Sequence, residues 1–142
     1  MRVIGFNTTR IHAFKETELT KSAINTDIIF TEIEREKLEI LKDTEAIKAS
    51  FRFAIMFKDS EKKIEKKNEV SFEGSILLAV DKEESKEFLK AWKKREVPKD
   101  KVLPLYNFIL KKCSVKALQL EEDINLPAHI PFPQIRNMPS KQ

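Results

Sequence analysis

The 142-residue sequence is poor in the residues that build loops and reactive centres. It has two glycines, Gly5 and Gly74. A phosphate cradle needs several backbone amides freed from side-chain crowding, so nucleotide binding through a Gly-rich loop is excluded. The single cysteine, Cys113, permits no intrachain disulfide and gives no sign of an oxidising compartment. The two histidines, His12 and His129, stand at opposite ends of the chain without a second ligand at helical spacing, so no metal site and no cofactor are expected. No stretch approaches the roughly 20 apolar residues of a membrane span. Asn7, Arg10 and His12 occupy the region where a secretory signal needs its apolar run, which makes a cytoplasmic location the default expectation. Proline is missing from the first two thirds: all six prolines lie at or after Pro98, and a continuous hydrogen-bonded sheet is possible before it.

What is present fits one folded domain over residues 1–142, with 137–142 expected to fray. Hydrophobic residues make up 41% and charged residues 35%, too apolar for disorder. The 27 basic and 23 acidic residues leave a net charge of +4, read as spread along the chain. That offers little support for a nucleic-acid partner. The densest basic stretch, Lys62 to Lys67, carries its own Glu65 and reads as a solvated loop.

Periodicity supplies the fold class. From Ile47 to Phe57 every odd position is apolar, and from Val70 to Val80 Phe72, Gly74, Ile76 and Leu78 alternate with polar partners. This is the period of strands with one buried face, and the two runs should form an antiparallel hairpin. Val3 to Phe14 and Ile24 to Ile40 read as two further strands. Ala54, Met56, Leu77 and Ala79 fall on the opposite face, part of which should be covered or await a partner.

Asp81 with Glu84 three residues on is a capping box that starts a helix. Its narrow stripe of Phe88, Leu89 and Trp92 puts the helix on a surface, and Pro98 stops it near Val97. Pro104 fits the first turn of a second helix, whose broad apolar face of Leu105, Tyr106, Ile109, Leu110, Cys113 and Leu118 belongs to the core. The proline-bearing apolar segment from Leu126 should run extended across an apolar surface. The expectation is therefore an α+β domain: a four-stranded antiparallel sheet, two C-terminal helices and an extended apolar tail.

No catalytic centre is read from these residues. Cys113 falls on the apolar face of a helix, where burial raises a thiol pKa and dulls it as a nucleophile. Glu121, Glu122 and Asp123 read as a solvated turn, without the opposed placement that separates an acid from a base. The remaining asset is hydrophobic, ten Phe and one Trp, more than a small core must consume. Such surface marks a binding groove or an oligomer interface.

The order of elements resembles the SecB family of export chaperones over nearly the whole chain. Phe6-Asn7-Thr8-Thr9-Arg10-Ile11 is similar to the family's first-strand pattern Phe-x-x-x-Arg-Ile, and Glu73-Gly74-Ser75-Ile76 to its fourth-strand glycine and following apolar run. Leu103-Pro104-Leu105-Tyr106 resembles the entry to its second helix, and Leu126 to Phe132 its Leu-x-Leu-x-Pro ending. The resemblance implies an ATP-independent holdase for unfolded polypeptides, including preproteins. It further implies a homotetramer built as a dimer of dimers, with clients in long apolar grooves between sheet and helix layers. By position it places Ile24, Ile28, Phe30, Phe53, Phe72 and Phe132 near such a groove. The acidic members that hand clients to the SecA motor often end in a zinc-binding tail rich in Cys and His. This chain is basic and ends Pro139-Ser140-Lys141-Gln142, so docking to SecA is not carried over. Guarding an antitoxin, as some relatives do, fits the same holdase role.

Two other readings stand beside this one. A basic nucleic-acid-binding module is motivated by the pI of about 9.1 and by lysines beside aromatic strands. A structural subunit would satisfy its apolar surface with one fixed partner. Periodicity alone leaves the strand order open.

Overall fold

The structure, a computed structural model, describes residues 1–19, 22–37, 44–59 and 67–137. The order of elements is β1 (Arg2–Lys15), β2 (Ser22–Glu36), β3 (Glu45–Asp59), β4 (Asn68–Val80), α1 (Lys82–Trp92) and α2 (Lys99–Asp123). This is the expected α+β arrangement of one antiparallel sheet followed by two helices. The Lys62–Lys67 stretch, apart from Lys67, and the end of the chain from residue 138 lie outside the described residues. The expected second strand ends at Glu36, with Lys37 outside it, and positions 38–40 of that expectation lie outside the described residues.

The β3–β4 hairpin forms as its alternation requires. In register, Ile47 faces Leu78, Ala49 faces Ile76, Phe53 faces Phe72 and Ile55 faces Val70, all buried. Burying each large side chain contributes roughly 1.5–3 kcal/mol, so this shared face is a major source of stability in the sheet. The opposite face is wet. It carries the ion pairs Arg52 to Glu69 at 3.0 Å and Arg10 to Glu73 at 3.6 Å. No described element covers that face; Ala54 and Ala79 are nevertheless buried there, because they are short side chains among longer ones.

Strand order, left open by periodicity, is β1-β4-β3-β2. β1 and β2 are consecutive in sequence yet occupy opposite edges, so the residues that follow Lys15 begin a crossing from one edge to the other. The buried side chain of Asn68 fixes the start of that crossing. Its Oδ1 accepts from the amides of Glu16 at 2.7 Å and Thr17 at 3.2 Å, and its Nδ2 donates to the Thr17 carbonyl at 3.1 Å. Gly74 lets β1 come close: a Cβ there would collide with the carbonyl oxygen of Asn7 and press on the Phe51 ring at 3.1 Å. The collision sits beside the irregularity in β1 between Thr8 and Arg10.

Both helices lie on the apolar face. α1 begins as expected: the Asp81 side chain accepts from the Glu84 amide at 2.7 Å, and Glu84 reaches back to the Asp81 amide at 3.3 Å. It ends at Trp92, short of Val97, because Arg95 adopts a left-handed backbone (φ 58°) that turns the chain toward α2. α2 begins after Pro98, and Pro104 is inside the helix instead of in its first turn. Pro98 takes the starting position, where a proline loses no helical hydrogen bond. Pro104 then costs one bond, to Asp100, close enough to the end for the helix to continue.

α2 runs beside β1 in the same direction. Near its start Lys101 shares Glu84 with the Met1 ammonium, at 2.8 and 3.0 Å; Phe108 meets Phe6 edge-on at 5.7 Å; past its end the Asn125 carbonyl accepts from Lys15 at 3.2 Å. Only one line of it is buried, Leu105, Ile109, Cys113, Ala117 and Glu121 at four-residue spacing. The broad core face expected of this helix is thus narrower: Leu105, Ile109 and Cys113 are buried, whereas Tyr106, Leu110 and Leu118 are half-buried. Leu103 and Val115, on other sides of the helix, are 68% and 65% exposed.

Two outcomes follow from these polar anchors. Asn68→Ala strands the crossing amides and should lower unfolding free energy by about 1–3 kcal/mol in urea titration. Glu84 is held at a pKa of about 2, chiefly by its hydrogen bond to Lys101. Because this folded-state value is depressed, its contribution is complete above the ordinary carboxylate range near 4.5 and is lost as pH falls toward 2. Glu84→Gln should therefore be less stable than the parent at neutral pH, with the gap closing between about pH 4.5 and 2 in acid-denaturation curves.

Candidate functional site

An aromatic concavity lies where the turn between the helices overhangs β2. Ile28 and Phe30 project from β2 toward the helices because they share the face of Phe53 and Phe51 across the β2–β3 register. Tyr106, one turn inside α2 from Val102, stacks on Phe30 with ring centres 5.6 Å apart and planes within 10°. Trp92 closes the other side from the end of α1; its indole N–H donates to Glu32 at 2.9 Å, and the Arg95 guanidinium lies 5.0 Å over its ring. The result is a groove of about 440 Å³ between β2, α1 and the start of α2, with Val97 and Val102 on its wall and Arg95, Glu96 and Lys99 at its rim. β2 is the edge of the sheet here, so its outward backbone donors and acceptors are unpaired among the described strands.

Comparison with family models, curated proteins and solved structures finds no match to this chain. Function must therefore be argued from the surfaces themselves.

A second groove, also about 440 Å³, lies near the end of α2, lined by Val115, Leu118, Glu122, Leu126 and Phe132 among others. The twelve residues from Tyr106 to Leu118 separate the two by about 18 Å along the helix. One wall of it is the apolar tail, which is pinned by a buried polar pair. Glu121, expected in a solvated turn, is 1% exposed and accepts from the His129 amide at 3.2 Å and from ring Nδ1 at 2.8 Å. Since a carboxylate only accepts, Nδ1 carries a proton, and Nε2 meets the Ser114 hydroxyl at 3.3 Å. Helical spacing brings this about: Glu121 sits two turns beyond Ser114 on the same side of α2. The Ser-His-Glu sequence of contacts joins Ser114 and Glu121 of α2 to His129 of the tail beyond it. Its evident work is to strap the tail to α2.

Beyond that strap the tail departs from expectation. Leu126 packs into the core, but Ile130, Phe132 and Ile135 are exposed, Ile135 completely.

The six residues proposed from sequence are thus divided. Ile28 and Phe30 meet in the first groove, and Phe132 lines the second. Ile24, opposite Phe57 at the uncovered end of β2, is exposed and lines neither. Phe53 and Phe72 lie in the core: 0% and 1% exposed, they stack on each other at 6.0 Å beneath the helices. Trp92, Tyr106, Glu121 and His129 were not singled out for a site. For Trp92 and Tyr106 the available signal was an aromatic flanking each side of the Arg95–Pro98 turn; for the buried pair there was none. Cys113 is buried, and loss of water raises its thiol to a pKa of about 11.

Removing one member of the tail strap leaves the other stranded. Glu121→Ala should cost about 3 kcal/mol in denaturant unfolding, whereas Glu121→Leu with His129→Leu should be close to neutral.

Proposed function

We propose that this protein is an ATP-independent holdase that binds non-native polypeptide, preproteins among its clients, and keeps it soluble and competent for export or folding. The groove of Phe30, Tyr106 and Trp92 against the free edge of β2 carries this reading. An unfolded client offers apolar side chains and unpaired backbone together, and a groove with aromatic walls beside an open strand edge accepts both without sequence-specific contacts. The sequence resemblance to the SecB family supports the same reading. Within it the working form is a homotetramer, a dimer of dimers, and the exposed Leu103 and Val115 of α2 together with Phe132 are surface that assembly would cover.

The test is aggregation of a chemically denatured client diluted into the purified protein, with mass measured by light scattering. The expected result is a tetramer that holds the client in a soluble complex at stoichiometric amounts. Failure to protect any of several denatured clients overturns the proposal. Tyr106→Ala, at a half-exposed position, should fold and weaken client binding about tenfold.

A further inference from the structure

We propose that the β2 groove selects apolar chain segments flanked by acidic residues, an inference that rests on the holdase reading and names its class of client. The excess charge of the sequence is more concentrated than its overall balance suggests. Between Lys90 and Lys101 the chain has six basic residues and two acidic ones, Glu96 and Asp100, an excess equal to the +4 of the whole sequence. This stretch is the end of α1, the connecting turn and the start of α2, and it forms the overhanging side of the groove.

At the rim itself Arg95 and Lys99 oppose Glu96. Neither Arg95 nor Lys99 has an acidic partner within ion-pair distance among the described residues, unlike Lys101, which is committed to Glu84. Arg95 is held in place by its left-handed backbone and by the Trp92 ring beneath its guanidinium. A guanidinium fixed over an aromatic wall is suited to take a carboxylate while the wall takes an apolar side chain. Exposed Lys93 and Lys94 add to the potential within a Debye length, about 8–10 Å at physiological salt. The second groove provides the contrast: Glu121 and Glu122 line it and no basic residue does. The preference should therefore belong to the first groove alone.

Trp92 is the only tryptophan, so its emission reports occupancy of this groove directly. Three tryptophan-free peptides sharing one Phe/Leu core, flanked by glutamates, glutamines or lysines, would be titrated at low and high salt beside a charge-matched oligothymidylate. The glutamate-flanked peptide should bind about tenfold more tightly than the lysine-flanked one at low salt. That ratio should shrink to about twofold near 1 M salt, where screening acts within about 3 Å. Arg95→Glu combined with Lys99→Glu should reverse the order, and the salt dependence of the parent tests the same point without a variant. Equal affinity for all three peptides overturns the charge selection while client holding stands, as would a preference for lysine flanks. Tighter binding of the oligothymidylate than of the acidic peptide overturns the polypeptide assignment of this groove. No binding by any peptide, in a protein that still suppresses aggregation, moves the client site elsewhere and overturns the inference.

Discussion

Water must be kept off the shared face of β3 and β4, and the means available are two helices of unequal length. The strands of the sheet extend about 45 Å, whereas α2 spans about 37 Å and α1 about 16 Å. α2 follows β1 and covers most of the length of the sheet along one line. α1 covers only part of the β2 side, anchored by the fully buried Phe88. What neither helix reaches stays open, and the β2 groove is the seam between α1, the start of α2 and the edge strand. The concavity is thus a geometric remainder of covering a wide sheet with narrow cylinders, furnished with aromatic side chains that tolerate partial exposure.

Three polar side chains decide what the hydrophobic pattern leaves undetermined. Asn68 fixes where the chain leaves β1 to cross the sheet. Glu84 ties the start of β1 and the first turns of both helices to one carboxylate. Glu121 holds the tail to α2 through His129. Each sits where two segments distant in sequence must be brought into one arrangement, and each acts by satisfying groups that packing alone would leave stranded.

The strands, the hairpin and the capping box were legible because their causes are local: a period of two marks a half-buried strand, and Asp81 with Glu84 satisfies amides within one turn. Strand order was not legible, since alternation says which face a residue takes and nothing about its neighbour. The start of α2 was misplaced because two prolines six residues apart each suit a first turn, and only the fold shows that Pro98 holds it. The site was half legible. Phe30 and Phe53 obey the same alternation and differ only in whether a helix lies above them, so pattern could not divide groove from core. Glu121 looked solvated for the same reason: its partner lies eight residues on, past the end of the helix.

The placement of β1 bears on how the chain is made. Lys15 pairs with Asn68 and Arg2 with Ala79, so every partner of β1 lies more than fifty residues downstream. During synthesis from the N-terminus, β1 emerges first and must remain without its ladder until β4 has left the ribosome. β3 and β4, joined by a short connection, can close first and offer β1 an edge on which to dock. The first strand to be made is therefore among the last to be paired. For that interval this protein is itself an extended chain with exposed apolar residues.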